Sequence, residues 1–270
     1  NVFRIRGVDL SVGRRIALLL GLLIMVVFVV ALVEPIRQDL NYHLFADTRT
    51  FFGIPNFNDV VSNIGFAVVG VLGLIAVLGP GRHEIFVDAP HMRPYFVFFL
   101  GIALISLGSA YYHWEPSNER LFWDRLPMSL GFMAISAAVV ADRIDARAGN
   151  GWLLYLLLAV GVISLVYWIW TESLGRGDLR PYALVQFYPM VALPIIISLF
   201  PPSRYTLGRY LALGILWYGL SKLFEHFDHE VFDMLGHTVS GHTLKHLTAA
   251  VAPFFVMRML LACARRPGTT

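Results

Sequence analysis

Eight runs of mostly apolar residues recur along this chain, and most are long enough to cross a bilayer as one helix. They are Ile16–Val33, Val60–Leu78, Tyr95–Tyr112, Leu126–Val140, Trp152–Trp170, Tyr182–Phe200, Tyr210–Leu223 and Leu244–Ala262. A crossing takes about 20 such residues, since each adds about 1.5 Å to a helix that must traverse roughly 30 Å of hydrocarbon. The fourth and seventh runs are short and depend on their polar flanks. The chain is 57% hydrophobic and 14% charged, whereas soluble domains carry roughly 25% charged residues. Lipid must therefore be the solvent for much of its surface. The prediction is an all-α integral membrane protein with a single transmembrane domain over 1–270. A seven-transmembrane-helix core would occupy 56–264, and one additional N-terminal helix within 1–40 would make eight in total.

Gly and Pro punctuate the gaps, as at Gly79-Pro80-Gly81 and Pro201-Pro202. No internal repeat, flexible linker or long charge run marks a second unit. The first run follows Arg14 and Arg15, as a signal peptide would, but it is long and no small-residue cleavage pattern follows, so it is read as a helix. Pro189 and Pro194 are expected to kink the sixth. Cys263 is the only cysteine, which excludes an internal disulfide and a multi-cysteine metal site. The 21 Lys and Arg residues are scattered and leave no nucleic-acid footprint. With alternating crossings, 13 of them fall on the side of both termini and 8 on the other. That bias predicts cytoplasmic termini, compatible with a bacterial inner membrane.

Ionisable residues at membrane depth are costly and point to function. Alternation gathers the unusual ones at one end, towards the outer leaflet. Asp59, Ser62 and Asn63 open the second run, Ser109 and His113 close the third, Asp124 precedes the fourth, and His242 and His246 open the eighth. His242-Thr-Leu-Lys-His246 sets two imidazoles one helical turn apart, which suits two ligands of a tetrahedral metal. The motif lacks the Glu of HExxH, so that protease family is excluded. Two interfacial histidines bonded to their neighbours would show the same pattern. Taken singly, Ser109 beside Gly108 fits close helix packing, His113 an aromatic belt, and Asp124 an N-cap.

Taken together they offer more. A third histidine completes the three protein ligands of a catalytic zinc, with one position open for water. Zinc lowers the pKa of that water to about 7. Asp124 could then move the proton and Ser109 could bond the oxyanion, which are the parts of an amide or ester hydrolase. Ser62 and Asn63 are expected behind the ligands or in helix contacts. The stretch Glu225-His226-Phe-Asp228-His229-Glu230 reads as a solvated acidic loop, with a second metal site as the alternative, and His237 falls off the ligand face.

The segments Asp59-Val-Val-Ser62-Asn63, Gly108-Ser109-Ala-Tyr-Tyr-His113, Trp123-Asp124-Arg-Leu-Pro127-Met128 and His242-Thr-Leu-Lys-His246 resemble, in order and spacing, the motifs of alkaline ceramidases. That family lies in a superfamily of intramembrane hydrolases that includes adiponectin-receptor-like and GPI-lipid-remodelling proteins. The resemblance implies a seven-helix core binding zinc through His113, His242 and His246, with Ser109 and Asp124 completing a catalytic site. It implies hydrolysis of a ceramide-like lipid to a sphingoid base and a fatty acid. Another lipid ester or amide, or a receptor with structural zinc, are the alternatives. A proton-coupled transporter fits less well, since it should show an internal repeat and polar residues through the membrane depth. Animal alkaline ceramidases also carry an acidic calcium site before the first core helix. Here Asp47, Asn56 and Asp59 could offer oxygen ligands to calcium, but Arg49 sits among them.

Overall fold

The computed structural model describes residues 10–201 and 204–264. Arg4, Arg6, Arg265 and Arg266, which weigh in the orientation argument, lie outside the described residues, as does Pro202. The chain is all-α. Its long helices are α1 (Val12–Leu32), α2 (Phe57–Leu78), α3 (Met92–Trp114), α4 (Asn118–Arg143), α5 (Trp152–Ser173), α6 (Arg180–Leu199), α7 (Gly208–His226) and α8 (Gly241–Ala264). Helix α2 is interrupted at Ser62 and Asn63, between Phe57–Val61 and Ile64–Leu78. Among the described residues the sole β pairing is an isolated bridge between Phe51 and Ile54.

Seven of these helices are long and apolar enough to cross a membrane. All eight long helices expected are present, and α7, whose 19 residues include Arg209, Lys222 and Glu225, is the one that falls short of the apolarity of a span. In contrast, α4 is longer than its apolar run. Ser117 caps its start by accepting from the Arg120 N–H, and the helix continues to Arg143. Packing accommodates the charges that interrupt its hydropathy. The Arg125 guanidinium lies 4.7 Å from the Trp168 ring centroid and 4.9 Å from that of Tyr182, a cation–π arrangement that replaces lost water. Buried Arg143 donates to the Thr206 hydroxyl at 2.7 Å and to the Phe200 carbonyl at 3.0 Å. Helix α6 runs unbroken through Pro189 and Pro194.

Helices α3 and α4 form the central pair. They approach closely at Gly108, where any Cβ would overlap the Trp123 carbonyl, and small residues permit such contacts between membrane helices. Helix α2 lies on α3, α5 and α6 lie on α4, and α8 packs between α2 and α7. A large apolar cluster that includes Phe99, Ile135, Met259 and Leu260 fills the bundle. A smaller one built from Phe45, Tyr112, Leu121, Trp168 and Tyr182 sits nearer the convergent polar residues. Helix α1 stands apart: it buries no residue and packs mainly on α6. Arg15 donates to the Leu199 carbonyl at 2.7 Å and Arg180 to that of Val33 at 2.5 Å, tying both ends of α1 to α6. Leu20, Ile24, Phe28 and Leu32 are more than half exposed on α1, as lipid rather than water requires.

Candidate metal centre

The first turn of a helix carries N–H groups without intrahelical partners, and in α8 these determine where the histidines fall. Asp228 accepts from the His242 backbone N–H at 2.7 Å and, through its other oxygen, from the Ala46 N–H at 3.0 Å. Ser240 accepts from the Thr243 N–H at 3.0 Å and donates to Asp59 Oδ1 at 3.1 Å. The Thr243 hydroxyl also donates to that oxygen, at 2.6 Å. Gly241 is needed because a Cβ there would overlap the Phe224 carbonyl. The segment before α8 is thus no solvated acidic loop. Asp228 is buried and caps the helix, and Glu225 ends α7 among ion pairs, whereas His226, His229 and Glu230 are exposed. His237 is exposed as well.

His113, in the last turn of α3, meets His242 and His246. The candidate ligand atoms of the three lie within 4.8 Å of one another, and all three residues are buried. His113 Nε2 and His242 Nε2 are 3.2 Å apart. Phe45 covers the group, its ring centroid 4.6 Å from that of His113 and 4.7 Å from that of His242. Hydrogen bonding decides the tautomer of His246. The Ser62 hydroxyl spends its single proton on the Asp59 carbonyl at 3.1 Å, so at 2.8 Å from His246 Nδ1 it accepts. Nδ1 therefore carries the proton, and Nε2 is left bare, buried and without a hydrogen-bond partner.

A bare nitrogen in a dry site needs a proton or a cation. A tetrahedral zinc with Zn–N bonds of about 2.0–2.1 Å would hold its nitrogen ligands roughly 3.3–3.4 Å apart. The 3.2 Å between His113 and His242 comes close to that spacing, and three neutral imidazoles suit the ion. The residues present fit a metal.

Asp124 is buried on α4 and faces the Ser109 hydroxyl. It lies in the second turn, beyond the Ser117 cap, so the N-cap reading of Asp124 does not apply. Asn63 bonds only within its own helix start, to the Asp59 and Val60 carbonyls, while Ser62 touches His246.

Each of the three oxygen donors considered for calcium bonds to a different partner. Asp47 accepts at one oxygen from Arg49 Nε and at the other from Arg49 Nη2, both at 2.7 Å, with Asn58 adding a third bond at 2.8 Å. Burial pushes the Asp47 carboxyl up, but the hydrogen bonds from Arg49 and Asn58 outweigh it and hold the group below the usual carboxylate range. Asn56, in a left-handed conformation at φ 46°, donates its amide to the His113 carbonyl at 2.8 Å. Asp59 serves the start of α8. An internal guanidinium takes both oxygens of Asp47, where a cation would otherwise sit, while Asp59 Oδ2 stays buried without a hydrogen-bond partner.

Ser109, Asp124 and His246 stand at the polar head of an apolar cavity that is partly open to the surface. Phe98, Ile135, Leu193 and Val256 line its far end. From His246 to Val256 along α8 is about 15 Å at 1.5 Å per residue, close to half the roughly 30 Å of bilayer hydrocarbon. Helix α7 packs along α8 and touches α6 at few points. Lys222 and Lys245, which sequence reasoning passed over, and Glu225, which it read as solvated, lie near this polar head, although a lysine inside the HxxxH motif was itself a signal. No protein-family model matches the chain, and no curated protein matches it.

Proposed function

We propose that the chain is a zinc-dependent intramembrane hydrolase of the alkaline ceramidase type, cleaving the amide of a ceramide-like lipid to a sphingoid base and a fatty acid. The observation that carries this reading is the bare Nε2 of His246 among three buried histidines, at the head of a cavity as deep as one leaflet's acyl chain. A zinc ion held by these histidines would supply Lewis acidity and a water whose pKa falls to about 7, with one coordination position open.

The chain's own residues account for the rest. The apolar cavity holds the acyl chain and sets the amide carbonyl beside Ser109 and Asp124. The Asp124 carboxylate takes a proton from the attacking water and returns it to the leaving nitrogen, so that water and amide become carboxylic acid and amine. The Ser109 hydroxyl turns from Asp124 to the developing oxyanion. Three histidine ligands, rather than the four of most structural zinc sites, favour an enzyme over a receptor. The same reading places the protein in a bacterial inner membrane, with both termini cytoplasmic and the centre towards the outer leaflet.

Purified protein in detergent should release sphingoid base from a ceramide panel. Removing zinc should stop the reaction and restoring it should recover the rate. Stoichiometric zinc without cleavage of any ceramide would reject the ceramidase reading and move the site to another lipid amide or ester, or to a receptor.

A further inference from the structure

Three charged side chains near the cavity head have no part in that chemistry. Glu225, in the last turn of α7, accepts from Lys222 Nζ at 2.5 Å on one oxygen. Its other oxygen accepts from Lys245 Nζ and from the Tyr42 hydroxyl, each at 2.9 Å. Both lysines line the polar end of the cavity beside Tyr218, Ser221, Asp124 and Ser109, while Glu225 sits behind them. Lys245 Nζ also lies 3.1 Å from His242 Nε2, within reach of anything bound at the centre.

The balance of charge and donors points outward into the cavity. Three cations, Lys222, Lys245 and Arg125, face two carboxylates, Glu225 and Asp124, and each ammonium has three protons to give. Lys222 spends one on Glu225 while its side chain keeps 27% of its surface open. Above a cavity walled by apolar side chains, an unspent ammonium attracts an anion far more strongly than it would in water. A neutral headgroup would add only weak hydrogen bonds there, whereas an acidic one would make charge-assisted bonds to both lysines.

We propose that Lys222 and Lys245, held in place by Glu225, form an anion-binding end to this cavity. The lipid taken there carries an acidic group, a carboxylate or a phosphate, next to the bond to be cleaved. The substrate part of this inference rests on the hydrolase reading; the anion site does not. Lys222 is the residue that determines this specificity and can be changed without touching α8.

Metal-loaded protein in non-ionic detergent is titrated calorimetrically with tetradecyl sulfonate, tetradecanol and tetradecyltrimethylammonium, none of which has a scissile bond. The sulfonate should bind at least about tenfold tighter than the alcohol, the worth of one charged hydrogen bond, and the trimethylammonium weakest of all. Lys222→Gln should bring sulfonate and alcohol to within about twofold of each other, with metal content unchanged. Glu225→Gln, which removes the competing carboxylate, should tighten the sulfonate instead, a change of opposite sign that loss of structure cannot produce. Equal affinities in the unaltered protein, or a preference that survives Lys222→Gln, would overturn the anion site.

A second arm compares cleavage of an N-acylglycine, a phosphorylated N-acylethanolamine and the neutral N-acylethanolamine. Faster turnover of either acidic amide names the headgroup, and fastest turnover of the neutral one overturns the substrate assignment. If no amide is cleaved while the sulfonate preference stands, the hydrolase reading fails and the anion site remains.

Discussion

Two regions of this protein look equally rich in metal ligands, and only one brings three ligand atoms within 4.8 Å of one another with a bare nitrogen among them. The loop around Asp47 and Asn58 brings oxygens together, but Arg49 occupies them with two 2.7 Å bonds and extends a third, also at 2.7 Å, to the Thr238 carbonyl. The histidine centre is as well buried, yet Ser62 accepts from Nδ1 of His246 and leaves Nε2 without a partner. The difference teaches that ligand type is a poor guide to a metal site and unfilled hydrogen-bonding capacity a better one. Buried polar atoms in native proteins are nearly always paired, so a bare nitrogen among three converging imidazoles suits an ion.

The sharpest way to break this comparison is to remove a ligand. His113→Ala should abolish stoichiometric metal, a loss beyond the ten- to hundredfold usual for a residue behind the ligands, while the protein still inserts; elemental analysis of the purified variant decides it. Retention of one metal per chain would show that the centre is not built on His113.

Asp124→Asn should keep the metal and lower amide hydrolysis by about 10²–10⁴-fold, the usual worth of a positioned proton-transfer group. An Asn variant that lost its metal would instead make Asp124 a ligand.

Ser62→Ala frees His246 to take either tautomer and should weaken metal affinity by about ten- to hundredfold, measured by competition with a chelator. Unchanged affinity would mean that the tautomer is set by something other than this hydroxyl.

The smallest effect is expected in the other region. Arg49→Gln should destabilise the protein by roughly 1 kcal/mol at neutral pH, since the arginine is partly solvated and its charge partly screened. Because the Asp47 carboxyl titrates below its ordinary value, the stability it contributes is complete above about pH 4 and is lost as pH falls through the lower folded value. Unfolding followed across that acid range should show a shallower loss in the variant. Added calcium should leave the unfolding temperature of the unaltered protein unchanged, and a rise would mean that Arg49 yields its place to the ion.

Much of the fold was legible in the sequence. The apolar runs anticipated the long helices because hydropathy is summed residue by residue along one strand of chain. The misreadings occurred where charge entered a helix. Leu126–Val140 proved to be the middle of Asn118–Arg143 because Arg125 and Arg143 find partners on other helices, which a one-dimensional sum counts as breaks. Tyr210–Leu223 grew into Gly208–His226, whose charges exclude it from the apolar spans. Glu225 and Asp228 read as solvent-facing because composition says nothing about a lysine twenty residues later or about a bare helix terminus.

By itself the sequence determined the solvent of this protein, its all-α class and the end of the bundle where polar residues meet, since alternation of apolar runs is enough for each. Only the tertiary structure decided which nitrogen of His246 is bare, that Arg49 takes the cation's place beside Asp47, and that two lysines share Glu225 at the cavity head. Those outcomes depend on how many hydrogen bonds each atom has left after its neighbours on other helices have claimed theirs, and that count exists only once the helices are packed.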